Sequence, residues 1–326
     1  MTRAAAPLGV LLAYGLAFAA TALGRGPLLF DDHPGQIFRL WHALTRGPAP
    51  WAWNPDWWMG FPELQFYPPG FAYLGAALHV LALGQLPVAV VYQALLWIVY
   101  LAPGVTAFLV LARLLPDPWL ALPGGFVALT LSGETMSGVD GGVRTGMIAA
   151  RLGWALLPLL LLALVRWIES GGRRPAAAVF ALAAIVLAHP AQVPAAILLI
   201  GLAAVTGGGY KPYRLFQAGW LALTAALLTG FWTVPLLGHL AESRGLAWGD
   251  PALRILARMV GAGPLGPLLL ALAVLAVVLK RDRPTLVLTV FVPVMLLVLA
   301  LDPSERLPAN RLVDSLVLGV ALLAGL

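Results

Sequence analysis

Two adjacent carboxylates and an imidazole, Asp31, Asp32 and His33, follow directly on an apolar run in the stretch LLFDDHPGQIFRLWHALTRG, residues 28–47. A carboxylate here can accept backbone N–H bonds as the N-cap of a following helix, with Pro34 tolerated in its first turn. One aspartate suffices for a cap, so the second is expected to stand free where the first apolar segment meets water. Farther on, WAWNPDWWMGFPELQFYPPGFAYL crowds Trp51, Trp53, Trp57, Trp58, Phe61, Phe66 and Tyr67 into 17 positions beside Asn54, Asp56, Glu63 and Gln65. Aromatic faces next to amides and carboxylates suit a sugar ring, whose C–H face stacks while its hydroxyls hydrogen-bond. Tryptophan and tyrosine also gather at membrane interfaces whatever the function, and both readings stand at this point.

A second set of groups can hold an anion. Arg144 lies in the glycine-rich SGVDGGVRTG, Arg151 follows two helical turns on, His189 sits in LAHP and Arg311 closes LPANR. Guanidinium forks match phosphate in bidentate fashion. Each group also has a plain structural use: snorkelling for Arg144 and Arg151, a bond to a backbone carbonyl at a helix break for His189, and a pairing with Asp314 one turn on for Arg311.

The elements that position these groups are set by composition. Of 326 residues 61% are hydrophobic and 10% charged, with a mean hydropathy of +0.90, which points to an integral membrane protein. Stretches such as LLPLLLLALVRW are apolar on every side, which specifies spanning helices rather than the alternating strands of a barrel. Apolar segments lie at about 7–24, 71–84, 87–112, 118–132, 146–168, 175–188, 191–206, 215–237, 264–279, 284–301 and 312–326. They predict an all-α polytopic bundle of about 10–11 spans, ten if 71–84 is a short interfacial or re-entrant piece.

With ten crossings, Arg113, Arg166, Arg173, Arg174, Lys211, Arg214, Lys280, Arg281 and Arg283 share one side with Arg3. By the positive-inside rule that side is the cytoplasm, with the N-terminus in it. Most acids then fall on the outer side, so the net charge of +6 reads as a topology signal and nucleic acid is discounted as a partner. No cysteine is present, which removes disulfides and thiolate chemistry. The first apolar segment is followed by a poor cleavage site and is expected to remain as a span.

The whole chain, 1–326, reads as one transmembrane domain with an extracytoplasmic loop over 25–70. Within that loop Ile37, Leu40, Trp41 and Leu44 follow one helical face, predicting a helix over 34–46 lying on the membrane surface. The prolines of LAHPAQVP predict a tight outer hairpin with His189 at its tip. The chain ends at Leu326 inside an apolar segment, which leads us to expect a longer natural protein.

An acidic pair after the first span, a surface helix and the W-x-P-x-W-x-G-x-P-x-x-x-F-Y-P-P run resemble the GT-C class of membrane glycosyltransferases. More closely, the chain resembles the prokaryotic multispanning proteins labelled 6-pyruvoyl-tetrahydropterin synthase-related membrane proteins. The resemblance extends through LAHP at 187–190, FWTVPLL at 231–237 and the arginine of LPANR, and so covers nearly the whole chain. It implies transfer of a sugar from a polyprenyl-phosphate donor to a glycan, lipid or protein acceptor on the outer face of a prokaryotic plasma membrane.

The same resemblance implies Asp31 or Asp32 as general base or as ligand to a divalent cation, Mg or Mn, with His33 beside them. Substrate contacts would come from His33, Trp57, Trp58, Glu63, Tyr67, Arg144, Arg151, His189 and Arg311. In one departure from the family pattern, Ile148, Ala149 and Ala150 stand about a turn after Arg144, where an acid is expected, and Glu134 or Asp140 would have to replace it. A transporter or lipid flippase, or a non-catalytic membrane subunit of the same fold, are the competing functions. Most charges cluster at span ends and no internal repeat is evident, which disfavours transport.

Overall fold

The computed structural model describes residues 2–24, 26–57, 59–132, 135–242, 250–301 and 309–326, and the side chains of Thr2 and of 309–311 lie outside that description. Each apolar segment of the sequence is a helix. In chain order they are α1 (Thr2–Ala22), α2 (His33–Thr45), α3 (Gly70–Leu81), α4 (Val88–Leu114), α5 (Leu122–Thr130), α6 (Ile148–Glu169), α7 (Ala176–Ala188), α8 (Val193–Thr206), α9 (Lys211–Gly238), α10 (Ala252–Gly261), α11 (Leu265–Leu279), α12 (Arg283–Leu301) and α13 (Ala309–Ala324). Between α2 and α3, β1 (Trp53–Asn54) pairs antiparallel with β2 (Phe61–Pro62), the one sheet among the described residues.

Helices are the economical answer for such a chain, because they satisfy their own backbone groups without water. Five of them, beginning at Arg3, Val88, Ile148, Lys211 and Arg283, are long and apolar enough to cross a membrane; α10 and α11, bent by 98°, would make a sixth span if counted as one. This is compatible with a multi-pass membrane protein. The other apolar helices are shorter, 10–17 residues. At the centre stands α6, with 83% of its apolar window buried against 22% for α1 and α9, so α6 is the post on which the others pack. Trp154, Leu160, Leu164 and Trp167 are among its fully enclosed side chains.

Contacts between helix ends sort the molecule into two poles. At one pole Arg113 binds Glu169 at 2.8 Å and Lys280 donates to the Leu114 carbonyl at 3.0 Å. Trp167, Pro175 and Tyr213 line one crevice there, so α7 starts and α9 starts at the same end. The chain turns back between α7 and α8 at His189, whose N–H bonds the Ile185 carbonyl while its own carbonyl accepts from Gln192. The opposite pole gathers the acidic pair, the 135–146 loop, this hairpin tip and the first residues of α13.

The loop helix α2 departs from expectation. It buries His33, Gln36, Leu40, His42 and Ala43, while Ile37, Trp41 and Leu44 are only half-buried. The cause is packing between α3 and α4, which encloses the polar flank that a helix lying on a bilayer would leave to water.

Candidate functional site

The chain leaves α1 held by Gln93 of α4, whose amide donates to the Leu23 carbonyl at 3.0 Å and the Gly24 carbonyl at 2.7 Å. It then turns through Asp31, which adopts a left-handed φ of 49°. Aspartate is among the few residues that visit this region readily. Asp32 occupies the N-cap position of α2, yet its side chain makes no capping bond. Instead its backbone N–H donates to the Thr145 carbonyl at 3.0 Å and its carbonyl accepts from Gln36. The cap expected of the acidic pair is therefore not made by a carboxylate. Both carboxylates are exposed, with no hydrogen bond or ion pair among the described residues.

His33 turns the other way and is fully buried. Its Nε2 lies 3.1 Å from the Arg144 carbonyl oxygen, which can only accept, so Nε2 carries the hydrogen. Its Nδ1 then accepts from the Tyr92 hydroxyl at 2.6 Å. Burial holds this imidazole below its usual range, against the pull of the Arg144 and Val143 carbonyls and of Asp31 and Asp32. With both nitrogens engaged, His33 is a strut between α4 and the 143–145 backbone rather than a ligand turned to substrate or metal. The neighbouring loop comes close enough to require Gly146 at φ +90°, since a Cβ there would stand 2.9 Å from the His33 nitrogen.

This contact brings the backbone of Arg144 beside the acidic pair. Its guanidinium is exposed and lies 3.6 Å from Asp140, which also accepts from Ser132 at 2.6 Å. Val139–Arg144 is a π-helical turn, a form that often appears at functional positions. Among the described residues no group of three or more His, Asp or Glu side chains is placed to hold a metal ion, and the engaged His33 does not fit the cation site expected from the adjacent triad.

The aromatic loop is folded rather than splayed. Glu63, buried at its base, accepts from Asn54 at 2.5 Å and lies 3.1 Å from Arg39. Arg39 in turn covers the Tyr67 ring at 3.8 Å, and the Tyr67 hydroxyl accepts from Gln36 at 2.6 Å. Glu63 and Tyr67 thus face protein partners on α2. Trp57 packs against Phe38 yet is partly exposed, as are Trp51 and Trp53, so aromatic faces remain open at this pole. Trp232 of the FWTVPLL motif donates to the Leu64 carbonyl at 2.8 Å and ties α9 to the loop. Gly70 of FYPPG sits against LAHP so closely that a Cβ on it would stand 2.7 Å from the Leu187 oxygen. Trp58, Glu134 and the Arg311 side chain lie outside the described residues.

Arg151 is wholly buried, neither snorkelling nor open to the surface. It donates to the carbonyls of Val99, Tyr100, Leu129 and Ser137 at 2.9–3.2 Å, which fixes α4 and the end of α5 to the loop. Ser137 donates its N–H to Asp314 at 2.7 Å and its hydroxyl to the same oxygen. Trp154 donates to the Asp314 carbonyl at 2.8 Å, and Ser315 to Gln192 at 2.6 Å. Asp314 is thus bound into the loop that carries Arg144. His189, buried at the hairpin tip, packs its Cβ on Gly153 of α6.

Sequence reasoning missed Tyr92, Gln36, Arg39 and Ser137. Gln36 and Arg39 follow His33 at helical spacing, a signal present in the sequence; Tyr92 and Ser137 carry none.

Comparison with protein-family models, with curated proteins and with solved structures finds no match.

Proposed function

We propose that the chain is a membrane glycosyltransferase that moves a sugar from a polyprenyl-phosphate donor to an acceptor at the outer face of a prokaryotic plasma membrane. In this reading the bundle is GT-C-like, with about ten crossings and a cytoplasmic N-terminus, and α2 with its hairpin forms the outer loop. One observation carries the reading: two exposed carboxylates, Asp31 and Asp32, unpaired among the described residues, stand beside the loop that presents Arg144, to which the Asp32 N–H and the His33 ring are bound.

The chemistry follows from those groups. An acceptor hydroxyl attacks the anomeric carbon, a C–O bond forms, and the carboxylate takes the hydroxyl proton. The bond from that carbon to the lipid phosphate breaks, and the phosphate leaves with the electron pair. Arg144 offers it bidentate stabilisation, and the open faces of Trp51, Trp53 and Trp57 supply stacking for the sugar.

The test is transfer of labelled sugar from polyprenyl-phosphate donors to membrane acceptors, comparing the full chain with Asp31→Asn and Asp32→Asn. Removing the catalytic base is expected to lower transfer about 100-fold or more, on the order of the usual acid-base contribution. Neither variant should shift stability by more than about 0.5 kcal/mol, because neither carboxylate has a partner to lose among the described residues. Transfer unchanged in both would remove the aspartates from the chemistry.

A further inference from the structure

The pole opposite the acidic pair contains a crevice of about 250 Å³ between the end of α6 and the starts of α7 and α9. On α9 it is lined by Tyr213, Phe216, Gln217, Trp220, Leu221 and Thr224, a stripe at i, i+3, i+4, i+7, i+8 and i+11. Tyr213, Phe216 and Trp220 are more than half exposed, although they are large and apolar. From Tyr213 to Thr224 the stripe runs about 16 Å, close to half of a hydrocarbon core of about 30 Å. Its length is that of one leaflet.

The polar end of this stripe is positive. Arg173 and Arg174 stand exposed between two lining residues, Gly172 and Pro175. Beneath them Arg214 is 8% exposed, donates from Nε to the Gly208 carbonyl at 3.1 Å and lies against Trp167. Its Nη1 is buried without a hydrogen-bond partner among the described residues, and a Cβ on Gly172, at the crevice wall, would stand 2.7 Å from it. The Gln217 Oε1 beside it is likewise unpartnered. The nearby acid, Glu169, is paired with Arg113, and no carboxylate lies within ion-pair distance of Arg214 among the described residues. A buried guanidinium without a counter-ion is costly, and an anion at this place would offset that cost.

We propose that this crevice binds an anionic phospholipid, with one acyl chain along the aromatic stripe of α9 and the phosphate held at Arg173 and Arg174 in the field of Arg214. Charge complementarity selects the headgroup and stripe length selects the chain. The site is independent of the proposed glycosyl transfer and lies at the other end of the bundle.

The test uses the purified full chain in neutral detergent with phosphatidylglycerol, phosphatidylcholine or inorganic phosphate at equal molar ratios, read by thermal unfolding and by lipid retention in native mass spectrometry. Phosphatidylglycerol is expected to raise Tm by several degrees, as a ligand of the folded state does, with the other two near baseline. Arg173→Gln with Arg174→Gln, and separately Phe216→Ala, alter exposed side chains, and each is expected to weaken phosphatidylglycerol retention about tenfold, the effect of losing about 1.4 kcal/mol of binding. Loss in either variant supports the site. Equal shifts by the two lipids, a shift by phosphate alone, retention unchanged in both variants, or a dimer that persists without lipid would each overturn it.

Discussion

Arg151 and Arg214 are both buried cations in a chain dominated by apolar helices, yet their surroundings are opposite. Arg151, at the pole of the acidic pair, spends its N–H groups on four backbone carbonyls from α4, α5 and the 135–146 loop. Arg214, at the basic pole, makes one carbonyl bond and keeps a buried nitrogen unmatched among the described residues. Depth of burial therefore does not separate a cation that builds the fold from one that receives something; the number of satisfied N–H groups does. The carboxylates sharpen the contrast. Asp314 is bound by Ser137, whereas Asp31 and Asp32 have no partner among the described residues.

The largest effect should come from Arg151→Met, which strands four enclosed carbonyl contacts and is expected to cost at least about 3 kcal/mol, seen as lost folded yield and lowered Tm. Arg214→Met in neutral detergent should cost less than about 1 kcal/mol, because it removes an uncompensated charge. Equal losses in the two would break the distinction. Asp314→Ala comes next, at about 2–3 kcal/mol, since charge-assisted bonds from the Ser137 amide and hydroxyl vanish. Faster amide exchange over 135–146 should accompany that loss.

Gly146→Ala is expected to cost about 1–2 kcal/mol, from a left-handed φ and the approach to His33, with exchange rising at the start of α2. The smallest effect is one of pH. Burial lowers the His33 pKa, so the unfolded chain takes up the proton first as pH falls through about 6.5. Stability held above that pH is then lost progressively below it, until the lowered folded pKa is passed. Thermal unfolding of His33→Gln should lack this acid-side decline.

The helices are legible in the sequence because an apolar run without charge has few other ways to satisfy its backbone, and the segments around Val88–Leu114 and Ile148–Glu169 differ from the expected bounds by a few residues at most. Helix α10 is not legible in the same way: its apolar residues alternate with Arg254 and Arg258, which Asp250 binds at 3.3 and 2.6 Å, and charge masks it within a polar segment. The β1–β2 hairpin is two residues per strand, too short for any period to show. At the site, the approach of Asp32 and His33 to the Thr145 and Arg144 carbonyls leaves no trace in the sequence, because it depends on bonds between segments more than a hundred positions apart. Nor does periodicity tell that Arg151 points inward, since snorkelling and enclosed arginines look alike in sequence.

The bond between Ser137 and Asp314 joins residues 177 positions apart. Chains are synthesised at about 5–20 residues per second, so loop 135–146 must wait roughly 9 to 35 s after its own synthesis before α13 arrives to hold it. Until then the acidic pair and Arg144 lack one of their anchors, so the site is completed on the schedule of the ribosome rather than of local folding.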